Sequence, residues 1–294
     1  MSEATVDSHH PLYEALEALV RESPANRLDH VDGTAIFDAP IFGVADGDDP
    51  LFEEYKQIIG PFHLTPREVM QYASQAAPDA PIPSLEQVRV LTWVLPITET
   101  TRRSNRKEKE APSERWAHTR HYGEQFNDAL RGFAVNWLRE AGYLAIAPMA
   151  SPLFKTFNDG VENAPTSNWS ERHALYAAGQ GTFSLSDGFI TPRGIAMRCA
   201  SVVTNLPLAI SPRPYKNHTD NCLHYRQGTC GRCIKRCPVG AISLDGHDKM
   251  KCRDYVYGAL KPYFATYGVR TAGCGLCQTR VPCEAAIPAG RAKH

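Results

Sequence analysis

The sequence predicts an α/β or α+β domain over residues 1–210, followed by a small cysteine-rich domain over 211–294. Three observations predict it. Eight of the nine cysteines lie between Cys222 and Cys283, in the last quarter of a 294-residue chain. The run VRVLTWVLP (88–96) is apolar and β-branched, as a strand buried on both faces requires. Charge divides in the same place: residues 211–294 carry 14 Lys+Arg against 5 Asp+Glu, or +9, leaving −9 upstream in a chain of net charge zero. The length exceeds the usual single domain, and an apolar fraction of 43% suits a globular protein.

The elements follow in order. Leu12, Ala15, Leu16, Leu19 and Val20 recur at helical spacing. Residues 32–50 are rich in Gly, Pro and Asp and read as loops with short extended pieces. Thr65-Pro66-Arg67-Glu68 is a helix start, with Thr65 as cap, Pro66 in the first turn and Glu68 closing a capping box; Pro78, Pro81 and Pro83 end that helix. After the strand at 88–96, the charged stretch 100–120 mixes both signs and reads as a solvated loop or lid. A long helix is expected over Tyr122–Ala141, with Phe126, Leu130, Phe133, Trp137, Leu138 and Ala141 on one face and Gly142 as its stop. YLAIAP is a further strand, 151–170 a loop, and Ser170 caps a helix that ends at Gly179. Two strands joined by a turn near Pro192-Arg193-Gly194 come next, and SPRPYKN (211–217) is the linker into the cysteine-rich region.

Cys230, Cys233 and Cys237 stand at C-x2-C-x3-C with Pro238 following, the spacing of bacterial cubane ferredoxins. Where that run has another cysteine three residues upstream, this chain has Gln227, so Cys222 must substitute from a longer loop. Cys252, Cys274, Cys277 and Cys283 follow. If the cysteine before proline crosses to the other cluster, the eight divide into Cys222, Cys230, Cys233 and Cys283 for one [4Fe–4S] cluster and Cys237, Cys252, Cys274 and Cys277 for the other. A zinc ribbon on the two C-x2-C knuckles would leave four cysteines unexplained, and a disulfide scaffold would leave an odd one. Clusters ligated by eight thiolates add negative charge, which the C-terminal cations offset; a nucleic-acid face is the competing account. Cys199 falls in an apolar strand and reads as a small buried hydrophobe.

The N-terminal segment has no basic stretch leading into an apolar one, and no run is long enough to span a bilayer, so a cytoplasmic location is expected. His118 and His121 form an H-x2-H pair without a third ligand in sequence and read as a surface pair; Tyr122 beside them is the candidate proton donor. Asp245-Gly246-His247 opens like a corrinoid-ligand motif, but Met250 replaces its glycine and the match is read as chance.

The residues ERHALYAAGQGTFSLSDGFIT, GIAMRCASVV, CGRCIKRCPVGAI and CGLCQTRVPCEAAIP resemble the core of epoxyqueuosine reductase and its relatives, and the plan is shared by reductive dehalogenases. The resemblance implies a nitroreductase-like domain that holds a base-off cobalamin, and a ferredoxin domain whose nearer cluster feeds the cobalt. By position it assigns Glu171, Arg172, Gly179, Gly181, Thr182 and Phe183 to the corrinoid's surroundings, with glycines allowing the backbone close to a flat macrocycle. Two departures accompany it. The aspartate proposed as catalytic in the family falls at Pro165, and neither Asn163, Ser167 nor Asn168 is an acid; the chain also ends eleven residues after Cys283 without the family's helical repeat region, which counts against epoxyqueuosine in tRNA as substrate.

The expectation is therefore an oxidoreductase that takes low-potential electrons from an external donor such as ferredoxin or flavodoxin, through two [4Fe–4S] clusters, to a corrinoid that reduces a small electrophile or modified nucleoside. An electron-transfer or reductive-activator protein serving a redox partner, without a corrinoid of its own, is the alternative; a structural zinc module is the third.

Overall fold

The run at 89–96 is a central strand because both of its faces meet helices. In the computed structural model, which describes residues 10–76, 85–270 and 273–290, the chain runs α1 (Pro11–Glu22), β1 (Ile41–Asp46), α2 (Leu51–Ile58), α3 (Pro66–Gln75), β2 (Arg89–Pro96), α4 (Glu99–Arg106), α5 (Glu114–Glu140) and β3 (Ala145–Ile146). Two-residue strands β4 (Thr156–Phe157) and β5 (Thr166–Ser167) precede α6 (Glu171–Ala177), β6 (Thr182–Phe183), β7 (Phe189–Ile190) and β8 (Met197–Thr204). The cysteine-rich part contributes α7 (Leu223–Gln227), α8 (Arg232–Arg236), β9 (Ile242–Ser243), β10 (Gly246–His247), α9 (Lys249–Asp254) and α10 (Lys261–Thr266), with a π-helical turn at Tyr255–Ala259 between the last two.

The main sheet has the order β1-β2-β8-β3, and every neighbouring pair is antiparallel. Leu91, Trp93 and Leu95 of β2 pack with Leu12 and Leu16 of α1 and Phe126, Leu130 and Leu138 of α5. Val90, on the opposite face, joins Phe52 and Tyr55 of α2, Val69 and Met70 of α3, and Trp169. Successive strand residues point to opposite faces, so a strand sandwiched this way must be apolar throughout. The result is a mixed α+β layer architecture. Thr65 and Glu68 form the expected capping box at α3. Pro78, Pro81 and Pro83 lie outside the described residues, as does the start of the N-terminal segment.

Three expectations are corrected. The charged stretch is helical: α4 and the first two turns of α5 occupy 99–121, and Ser113 caps α5 by accepting from the Trp116 N–H. Two of its charges, Arg102 and Arg106, find a partner in Glu284 of the cysteine-rich part, which a reading of local charge mixture could not register. The strands near Gly194 do not pair with each other; β7 pairs with β6. His118 is not on the surface, being 5% exposed, and its Nε2–H donates to the Tyr267 carbonyl at 2.8 Å.

The cysteine-rich segment shares cores with the upstream chain. Val256, Leu260 and Phe264 pack with Ala111 and Ala117, and Cys222, Ile242 and Val281 pack with Leu185, Ile190 and Ile195. Backbone bonds from Ile195 N–H to Cys283 O (2.8 Å) and Ala196 N–H to Glu284 O (3.3 Å) dock it against the start of β8.

Candidate metal centre

Each cysteine is held by a local turn. Cys222 caps α7, Cys230 and Cys233 flank the start of α8, Cys237 ends it, and Cys252 lies within α9. Cys274 and Cys277 enclose Gly275, whose φ of +65° starts a tight 3-10 turn. A Cβ there would lie 2.1 Å from the Trp116 ring, so both the conformation and the packing require glycine. All nine cysteines are free thiols.

The eight fall into two groups. Cys222, Cys230, Cys233 and Cys283 line one cavity with Ser184, Ser186 and Ile195, and act on one another electrostatically. Cys274 and Cys277 are likewise within electrostatic reach of Cys252 and Cys237. Cys277 also lines the first cavity, so the two groups adjoin. Burial pushes the thiols of Cys233 up to about 11 and of Cys274 and Cys283 up to about 12, with neighbouring cysteines adding to the rise. Buried thiols crowded in this way resist ionising together unless a cationic core lies among them. Among the described residues no three His, Cys, Asp or Glu side chains converge on a single ion. Cubane ligands stand further apart than single-ion ligands, since each thiolate binds a different iron. The donor set therefore fits iron–sulfur clusters.

A frame of residues that the sequence did not single out fixes these turns. Arg236 donates from Nε to Leu276 O and Thr279 O (3.1 Å each), from Nη1 to Glu108 O (2.7 Å) and from Nη2 to Asn105 O (3.1 Å). It ties α8 to the Cys277 turn and to the end of α4. Glu284, 5% exposed, receives Arg106 and the Arg280 N–H and lies 3.6 Å from Arg102. Trp116, fully buried, donates from Nε1 to Gly273 O at 3.1 Å. One sequence signal could have found Arg102 and Arg106: they stand four apart, on one face of a helix.

The six residues assigned to a corrinoid are dispersed among structural tasks. Glu171 is buried, accepts from Ser201 Oγ at 2.5 Å and lies 3.4 Å from Arg131; burial raises its pKa against both partners. A Cβ on Gly179, at φ +70°, would meet Pro212 O at 2.1 Å, and one on Gly181 would meet Ile190 O at 2.4 Å. The close approach these glycines allow is thus to the chain's own backbone, which corrects the reason given for them. Thr182 Oγ1 accepts from Asn221 N–H (2.9 Å), and the Phe183 N–H donates to His218 O (2.7 Å). Together they seat the linker, whose Arg213 binds Asp49 at 2.6 Å and Ala177 O at 3.1 Å. Only Arg172, exposed, and Phe183, half-buried, keep accessible side chains. These six residues as a set do not fit a macrocycle.

Two neighbouring arginines lie beside the second cysteine group. Arg198 and Arg120 act on each other and on Cys199 and Tyr257, and Arg120 is also in reach of Arg172. Arg198 pairs with Glu124, and burial with the nearby Arg120 pulls it down to about 9. Arg120 has no ion pair among the described residues, and its guanidinium lies against Gly273, next to Cys274. Cys199 is half-buried beside Arg198, and burial raises its thiol to about 11. Tyr122 lies one turn from His118, stacked at 5.0 Å on His30 and packed against the core of α1 and α5. Pro165 occupies the expected acid position, while Asn163, Ser167 and Asn168 donate to Ile58 O, Trp169 O and Leu153 O. His247 sits 3.0 Å from Asp187, a partner within the fold.

The fold and the gathered cysteines define a mixed α+β protein with a two-part thiolate centre. No family model matches the chain. A 123-residue stretch, 40% of the chain, is 32% identical to an epoxyqueuosine reductase of Bacillus anthracis, covering 30% of that protein's length. A solved epoxyqueuosine reductase superposes over 93% of this chain and 64% of its own, with 17% identity and a TM-score of 0.48. A catabolic reductive dehalogenase superposes over 68% and 26%, with 18% identity and a TM-score of 0.47. By sequence the chain is a homologue of epoxyqueuosine reductase over the matched stretch, which spans less than a third of that relative. Among the described residues no helix is long and apolar enough to cross a membrane.

Proposed function

We propose that the chain is a low-potential iron–sulfur oxidoreductase with the domain division near residue 210. Cys222, Cys230, Cys233 and Cys283 would hold one [4Fe–4S] cluster, and Cys237, Cys252, Cys274 and Cys277 the second. The observation that carries the reading is the gathering of eight free cysteines into two adjoining fours, with homology to a reductase beside it. The second group lies beside Arg120, whose guanidinium rests against Gly273, so a cluster held there would supply electrons on the side where Arg120 and Arg198 stand. There the arginines would bind and orient an anionic or electron-accepting group, and α5 with β8 would exclude water from it.

The relatives suggest a corrinoid as the acceptor, and a corrinoid would supply a strongly reducing metal centre for attack on a small electrophile. Glu171, Gly179, Gly181 and Thr182, four of the six residues assigned to it, are engaged elsewhere in this chain, and Pro165 stands at the acid's position. Those two observations favour the second reading, an electron-transfer or activator protein that serves a partner. Anaerobic reconstitution with iron, sulfide and hydroxocobalamin, followed by desalting and cobalt analysis, separates them. Stoichiometric cobalt with a base-off EPR signal supports the corrinoid reductase; clusters without retained cobalt support the carrier. A cytoplasmic site, with an external reductant as partner, belongs to either reading.

A further inference from the structure

Cys230 lines two spaces at once. Its side borders the cavity enclosed by the first cysteine group, and it also borders an open surface groove of about 390 Å³ formed with Leu223, Thr229, Arg232, Lys235 and Pro282. The second group is shielded on one side, where Trp116 lies against the Gly275 turn. Arg232 and Lys235 are exposed and have no ion pair among the described residues, whereas Arg236 and Arg213 of the same segment are engaged. Two cations are thus left without an ion pair among the described residues, at a groove that reaches a ligand of the first cluster, on a segment of charge +9.

We infer that this groove is the docking site of a small acidic one-electron carrier protein, which reduces the first cluster across Cys230. The inference rests on the iron–sulfur reading above. Opposite charge steers and orients such an encounter, raising its rate more than its affinity. One electron leaves the donor's reduced centre and is taken up by the cluster; no bond forms or breaks and no proton moves. With the first cluster receiving electrons at the groove and the second group beside Arg120, the path would run from groove to first cluster to second cluster.

The test is anaerobic stopped-flow reduction of the reconstituted full chain by reduced flavodoxin, and separately by photoreduced deazaflavin, a small uncharged reductant, across a range of NaCl. The Arg232→Glu/Lys235→Glu protein should be reduced by flavodoxin at least tenfold more slowly than wild type and with its salt dependence lost, while deazaflavin reduces both alike. Arg21→Glu, a reversal on exposed α1, should behave as wild type. If the double reversal loses iron, Arg232→Gln/Lys235→Gln reads the same rate. An unchanged flavodoxin rate in a variant with full iron content overturns the docking site and leaves the iron–sulfur reading standing. Failure of the wild type to take up iron and sulfide overturns both. Inhibition by added RNA that vanishes in the variant, with its flavodoxin rate unchanged, would assign the groove to nucleic acid instead.

Discussion

Arg106 and Glu284, 178 residues apart in sequence, meet at 2.7 Å where the helix before the long α5 touches the last cysteine turn. Glu284 follows Cys283 directly, and its carboxylate also receives the Arg280 N–H at 2.6 Å. The pair ties the sheet domain to the cysteine-rich segment through a buried charge. Removing the carboxylate leaves the Arg280 N–H without its acceptor, while Arg106 and Arg102 keep Glu99. Glu284→Ala should therefore lose about 1–2 kcal/mol in urea unfolding and release iron faster to a chelator. An unchanged midpoint and chelation rate would show that the contact is incidental.

Gly275→Ala meets two obstacles, a left-handed φ and the Trp116 ring. The first alone costs roughly 1–2 kcal/mol. Because Gly275 lies between Cys274 and Cys277, the expected outcome is selective damage: the variant should retain about half of the wild-type iron, held by the first group. Full iron content would contradict the packing argument.

Arg236 spreads its donors over carbonyls from two segments, 105–108 and 276–279. Lysine keeps the charge but loses the planar fork, so Arg236→Lys should destabilise the protein by about 2 kcal/mol. Thermal unfolding of the reconstituted protein reads it, and an unchanged Tm would mean that charge alone suffices.

Acid should weaken the sheet domain through His63. The ring is 1% exposed, stacked on Trp169, and neither nitrogen has a partner in the described structure. Burial holds it down to about 4, assisted by Lys56, and holds the neighbouring His173 down to about 3. The unfolded chain, with His near 6.5, binds more protons, so stability is full above that pH and falls as pH drops toward 4. The loss for His63 amounts to about 3 kcal/mol between pH 7 and 4. His63→Phe should flatten the profile in that window; an unaltered slope would place the acid sensitivity elsewhere.

Local patterns were legible in the sequence where one element's chemistry decides its structure. Thr65 and Glu68 announce their capping box, and the 89–96 run announces a strand covered on both sides. The cysteine spacing marks the metal centre because short turns fix the sulfurs. What stayed hidden depends on partners distant in the chain. Nothing near Arg102 or Arg106 shows that Glu284 will meet them, so their stretch reads as a solvated loop. Likewise Gly179 and Gly181 look like ligand glycines until Pro212 and Ile190 are seen against them. Glycine reports close approach, and sequence does not say what approaches.

The measurement that tests the central claim most directly is iron, acid-labile sulfide and zinc per chain after anaerobic reconstitution. About eight irons and eight sulfides, with negligible zinc and broad visible absorption that bleaches on reduction, are expected for two cubane clusters. One or two zinc ions per chain without sulfide would contradict the account from its cysteines onward.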